Sequence, residues 1–206
     1  MSELDHLVLA TPDLAATVAL VSRALGVKPV AGGRHPGRGT RNYLLGLGHG
    51  GYLEIIGPDP EQAEPQQARP FGIDLLEEAQ LAGWAVRVAD IDAAVAAARA
   101  AGFDPSDPSD LSRATPDGRI LEWRLTFPDF SERTQVVPFL IDWGETAHPS
   151  AELPEVPLRS LAAVHPDPVA ASARLRAVGA DLTVEPGARP ALIATIGAGT
   201  ETITLL

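Results

Sequence analysis

"HLVLATPDLAATVALVSRALGV", residues 6–27, holds a short apolar run, then an aspartate, then an alanine-rich segment that ends in glycine. The pattern returns as "WAVRVADIDAAVAAARAAGF" at 84–103 and as "LAAVHPDPVAASARLRAVGA" at 161–180. The aspartates are Asp13, Asp90 and Asp167, and 90 − 13 and 167 − 90 both give 77. Two equal spacings with the same local pattern mark a repeated supersecondary unit.

Each unit reads as a strand followed by a helix. The opening runs, such as Leu7–Val8–Leu9, suit strands buried on at least one face. Each aspartate is a natural N-cap, whose carboxylate accepts from helix N–H groups that lack an intrahelical partner. Pro168 follows Asp167 at the first helical position, where its fixed φ is already helical. Leu14, Val18, Val21 and Leu25 fall on one apolar face of a helix. Gly26, Gly102 and Gly179 stand where a left-handed C-cap belongs. Strand-like runs follow each helix. They are "TRNYLLGLG" and "GYLEIIG" in the first unit, with a short strand near Lys28–Val30. In the second they are "ILEWRLTF" and "TQVVPFLIDW", and in the third "LTVEP", "ALIATIG" and "ETITLL".

The class is therefore α+β, with tandem βαβββ units at 1–60 and 80–144 and a third, shortened unit at 158–206. The polar, proline-rich stretch around 57–72 belongs to a linker at 61–79, and a second linker spans 145–157. The third unit offers no polar pair of its own, and it is expected to be structural, extending or covering what the other two build.

The chain has 206 residues and a formal net charge of -11, which argues against nucleic acid or an anionic membrane surface as a partner. There is no cysteine, so disulfides, thiolate metal sites and cysteine nucleophiles are excluded. No apolar run approaches the ~18 residues of a membrane span. The first residues lack the basic-then-apolar pattern of a secretory signal, so a cytoplasmic protein is expected.

A tandem βαβββ unit resembles the vicinal-oxygen-chelate superfamily, which includes glyoxalase I, extradiol dioxygenases and bleomycin-resistance proteins. "DHLVLATPDL" at 5–14 and "GYLEIIG" at 51–57 resemble its opening and its fourth strand. The closer resemblance is to a glyoxalase-like subgroup carrying GGxHxxxGTxN…YLE, here "GGRHPGRGTRNYLLGLGHGGYLE" from Gly32 to Glu54. "SRATPDGRILEWRL" at 112–125 and "PFLIDW" followed by His148–Pro149 also resemble that subgroup.

The resemblance implies that the sheets of two units form an open cup. His6 on the first strand and Glu54 on the fourth are the implied metal ligands, and His35 or His148 swinging in from a loop would complete a three-ligand site. The ion would be divalent zinc, nickel, manganese or iron. Glu54 and His35 are the implied catalytic groups. In the second unit Gly83 falls at the position of His6, beside Trp84, and the last strand offers only Asp142. A cup without metal is the alternative.

"RHPGRGTRN", residues 34–42, is a basic cluster in an acidic chain, and arginine suits carboxylate or phosphate. Arg34, Arg41 and Asn42 are expected to face a ligand, with Arg113, Arg124, Trp123 and His148 as further contacts. Alternation puts Glu122, Arg124 and Thr126 on one face of a strand and Leu121, Trp123 and Leu125 on the other. Two functions follow. One is metal-assisted lyase, isomerase or dioxygenase chemistry on a small oxygenated anion. The other is metal-independent binding or sequestration, as in drug resistance. The expected partners are a small-molecule ligand and, as a homodimer, a second copy of the chain.

Overall fold

The computed structural model describes residues 3–115, 118–127 and 134–206. Met1 and Ser2 of the first unit, and Pro116 and Asp117 of the "SRATPDGRILEWRL" stretch, fall outside the described residues.

The three repeats fold as their local chemistry directs. Helices α1 (Leu14–Leu25), α2 (Ile91–Ala100) and α3 (Pro168–Ala177) are each preceded by the expected aspartate. Asp13, Asp90 and Asp167 accept from the N–H groups of Ala16, Ala93 and Ala170. Gly26 ends α1 at φ 66°, a left-handed turn that favours glycine.

The first unit contributes strands β1 (Glu3–Ala10), β2 (Val30–His35), β3 (Thr40–Gly48) and β4 (Gly51–Pro58). The second contributes β5 (Gln80–Arg87), β6 (Pro108–Ala114), β7 (Ile120–Thr126) and β8 (Phe139–Asp142). They form one eight-stranded sheet in the order β2-β3-β4-β1-β5-β8-β7-β6. Read inward from either edge, both halves have the same order, so the sheet is a tandem duplication joined by the antiparallel pair β1 and β5. The sheet curls until its edges β2 and β6 meet, which makes the cup nearly closed. Strand β6, "PSDLSRA", is not anticipated by the sequence pattern. It is polar because four of its seven residues are exposed at the sheet edge.

The pleat sorts the apolar residues into two layers. Leu7 and Leu9 of β1 face outward onto the helices, in one core with Val21, Leu25 and Val95. Val8 and Ala10 face inward with Ile56, Phe139 and Ile141, forming the cup's own core.

The third unit has β9 (Leu158–His165), β10 (Val184–Pro186), β11 (Ala191–Ala198) and β12 (Glu201–Leu205). It keeps the element sequence βαβββ, but its strand order is β10-β9-β11-β12, with the first strand internal. It supports the outside of the sheet and does not cover the cup. Leu192, Ala194, Ile196 and Leu205 join the outer core, and β12 packs on α1.

The 61–79 connection is more than a linker. A 3-10 helix at Pro70–Leu75 lies within it, and Phe71 and Ile73 join the cup's core. Among the described residues no helix is long and apolar enough to cross a membrane.

Candidate functional site

The cup holds a cavity of about 110 Å³. Its two walls differ because the two halves place different residues at inward positions. The first half supplies His6, His35, Asn42, Tyr52 and Glu54, while the second supplies Leu111, Trp123, Leu125, Phe139 and Ile141.

On the polar wall, Tyr52, Glu54 and Ile56 share the inward face of β4, two residues apart. Glu54 is 9% exposed, and its Oε1 accepts from Asn42 Nδ2 at 2.6 Å. His6 Nε2 lies 3.8 Å from Glu54 Oε2, and His35 Nε2 lies 3.9 Å from Oε1. Each imidazole is held from behind. His6 Nδ1 is 2.7 Å from Asp5 Oδ1, and His35 Nδ1 is 2.9 Å from Thr40 Oγ1. Burial lowers the His35 pKa, and this outweighs the pull of Glu54 the other way. His35 is therefore neutral at pH 7. Its Nε2, 3.4 Å from the Asn42 amide nitrogen, is the acceptor, so Nδ1 carries the proton toward Thr40.

Tyr52 stacks on His6, with ring centroids 4.8 Å apart. Burial pushes its pKa well above 10, so the hydroxyl stays protonated at neutral pH.

Arg113 of β6 is 5% exposed and donates to the Gly32 carbonyl across the seam between β6 and β2. Among the described residues no carboxylate pairs with it. Gly32 and Gly33 permit the close approach, since a Cβ on Gly33 would lie 2.6 Å from the Ala114 carbonyl. Arg38 lies in the turn between β2 and β3, its guanidinium 4.6 Å from the centre of the Phe127 ring.

These positions correct part of the sequence reading. "RHPGRGTRN" is a β-hairpin, with Arg34 opposite Arg41 and His35 opposite Thr40. His35, Thr40 and Asn42 turn inward, so Arg34 and Arg41 turn outward by the pleat. Arg34 pairs with Asp59 and Glu61, and Arg41 with Glu61. Arg124 is on the outer face of β7 and pairs with Asp92 of α2. His148 does not line the cup. It sits beneath it, with Nε2 2.9 Å from Asp5 Oδ2. Asn42, Arg113 and Trp123 do line it, as do His6, His35 and Glu54.

Arg38, Tyr52, Phe71 and Asp5 complete the site and were not singled out from the sequence. Tyr52 was within reach of the sequence, because it precedes Glu54 by two and must share its face. Phe71 carries no local signal.

The resemblance implies a divalent ion on His6 and Glu54, and the structure sets His35 beside them. The donor types suit such an ion, and anchoring Nδ1 so that Nε2 faces the site is how metal-binding imidazoles are oriented. Among the described residues no three His, Asp or Glu side chains converge closely enough to hold a metal ion. The Asn42 amide also donates to the Glu54 oxygen that faces His35. As folded, this is a hydrogen-bonded acid–base cluster.

A sequence model described as "Glyoxalase-like domain" matches residues 4–179. No curated protein matches the chain. Among solved structures, a hypothetical protein from Staphylococcus aureus is similar at TM-score 0.65 and 14% identity, over 95% of this chain and 81% of that one. A methylmalonyl-CoA epimerase from Mycobacterium tuberculosis is similar at TM-score 0.45 and 19% identity, over 68% and 86%. The epimerase of Streptomyces coelicolor, in complex with 2-nitronate-propionyl-CoA, is similar at TM-score 0.46 and 21% identity, over 72% and 99%.

Proposed function

We propose, from the premise that this chain belongs to the glyoxalase-like domain family, that its cup binds a small oxygenated anion and that Glu54 moves a proton on it. One observation carries the reading. Glu54 is held at 2.6 Å by Asn42, between the Nε2 atoms of two anchored imidazoles, on the polar wall of a cup whose other wall is apolar.

A carboxylate fixed beside a bound carbon acid can take its proton and return it. Such positioned acid–base catalysis is worth ~10²–10⁴ in rate. The charge left on the substrate needs donors already in place. Arg113 and the protonated Tyr52 hydroxyl line the same cavity and can supply them. This favours lyase or isomerase chemistry next to a carbonyl, in a cytoplasmic protein that acts alone or as a homodimer. A bound zinc, nickel, manganese or iron ion would polarise the carbonyl, and His6, His35 and Glu54 are its candidate ligands. No step here depends on one.

The test is exchange of the C3 hydrogens of 2-oxo acids, those next to the ketone, in deuterated water, followed by NMR. Wild type should exchange them, and Glu54→Gln should slow the exchange ~100-fold or more while remaining folded. Wild type that binds such acids and exchanges nothing would instead support sequestration, the alternative reading. Metal content of untagged protein, with and without added ions, decides whether a metal assists.

A further inference from the structure

We infer that the cup's occupant is an aromatic monocarboxylate, with its acid group on Arg113 and Arg38 and its ring against the wall built by the second half. This rests on the reading of the cup as the ligand site, and not on what Glu54 does there.

The charge comes first. Arg34, Arg41, Arg69, Arg87, Arg99 and Arg124 all pair with carboxylates. Arg113 and Arg38, which line the cup, pair with none among the described residues. Arg113 is moreover buried, at 5% exposure. A buried charge without a counter-charge is costly unless something pairs it. Among the described residues its side-chain hydrogen bond goes to one carbonyl, that of Gly32, which leaves most of a five-donor guanidinium unused there. Within the cup Glu54 offsets one of the two guanidinia. Asp5 is met by Arg87 at 3.1 Å. The cup lining thus sets two guanidinia against one carboxylate, which suits a ligand with a single anionic group.

The body of the ligand follows from the opposite wall. The chain has ten aromatic residues, and six of them line this one cavity: Tyr52, Phe71, Trp123, Phe127, Phe139 and Trp143. Trp123 and Trp143 meet at 5.4 Å between ring centroids, and Phe71 and Phe139 at 6.3 Å. Aromatic rings at such separations favour a further ring laid edge-on or offset among them. Phe71 is held there at φ 59°, a backbone state that is strained for any residue but glycine. The cavity, about 110 Å³, approaches the ~150 Å³ of an apolar cavity that binds benzene.

The two cations sit where the ring wall meets the seam. Arg113 bridges from β6 to β2, and Arg38 reaches from the β2–β3 turn to Phe127 just after β7. A carboxylate held there leaves the ring pointing into the second half, with the polar wall along its other side.

Calorimetric titration of the full chain with phenylacetate, phenylacetamide and acetate tests this. Phenylacetate should bind ~10-fold or more tightly than either of the others, because it alone has both ring and charge. Arg38→Gln removes a half-exposed cation that holds no ion pair among the described residues, so the fold should survive. It should weaken phenylacetate ~10-fold and phenylacetamide less than about 2-fold. Arg113→Gln should act in the same sense, and thermal melting will show whether it folds. If it does not, Arg38→Gln and the three ligands still decide. Equal affinity for phenylacetamide, equal affinity for acetate, or no binding of phenylacetate at millimolar concentration overturns the inference. Acid-selective binding without exchange faults the Glu54 reading alone. Exchange with acid-indifferent binding faults this inference alone.

Discussion

Asp5 and His6 are neighbours in the chain, yet their side chains meet, with His6 Nδ1 2.7 Å from Asp5 Oδ1. In a regular strand they would point to opposite faces. The register of β1 against β5 slips between Leu4 and His6, and this bulge re-aims Asp5. Asp5 is fully buried, and its Oδ2 accepts from Arg87, Trp143 and His148 at 2.9–3.1 Å. One carboxylate thus positions the floor of the cup.

Asp5→Asn should destabilise the fold by roughly 3 kcal/mol, because it leaves partly buried Arg87 and the two ring N–H groups short of an anionic acceptor. Urea denaturation measures this. Burial alone would raise the Asp5 pKa, but the hydrogen bonds from His148 and His6 outweigh it and hold the carboxyl below the usual range. A depressed carboxylate stabilises the fold above its unfolded value and loses that contribution as pH falls. The difference between wild type and variant should be flat from about pH 5 to 8 and shrink below about pH 4. A gap that persists unchanged into strong acid would rule out the charge as its source.

His35 responds to acid in the same direction as Asp5, but at higher pH. Burial lowers its pKa from 6.5, so below that pH the unfolded chain takes up a proton that the folded one resists. Stability should therefore fall as pH drops below about 6.5, and His35→Gln should flatten that slope. NMR of the imidazole should show titration below the ordinary value. Titration at or above 6.5 would contradict the burial seen here.

Gly33 tests the seam. A methyl there would lie 2.6 Å from the Ala114 carbonyl and 2.8 Å from Arg113 Nη1. Since the first neighbour is backbone, Gly33→Ala should cost about 1–3 kcal/mol and, by displacing Arg113, weaken phenylacetate as well. Gly51→Ala, whose nearest neighbour would be at 3.5 Å, should leave phenylacetate binding unchanged. Equal effects from the two substitutions would mean that the seam does not position Arg113.

Much of this molecule is legible residue by residue. The aspartates at 13, 90 and 167 cap their helices because a cap needs only the next three N–H groups. The alternation in "TRNYLLGLG" and "ILEWRLTF" identifies two strands because one face of each is buried, whereas "PSDLSRA" escapes notice because an edge strand need not be apolar. His6, Glu54, His35 and Asn42 were legible through a family motif, and the structure gathers them around one carboxylate.

Which cations face the cup was not legible. Arg34, Arg38 and Arg41 lie within eight residues of one another, and only Arg38 lines the cavity. The pleat phase of β2 and β3 turns the other two outward, and that phase is set by pairing, not by residue type. Arg113 meets Gly32 across 81 residues of chain because two edge strands close on each other. Phe71 reaches the cup from a proline-rich connection. Caps and alternation depend on atoms a few bonds away and are written locally. The charge and shape of the cavity depend on how the curled sheet brings its two edges together, and only the folded chain decides that.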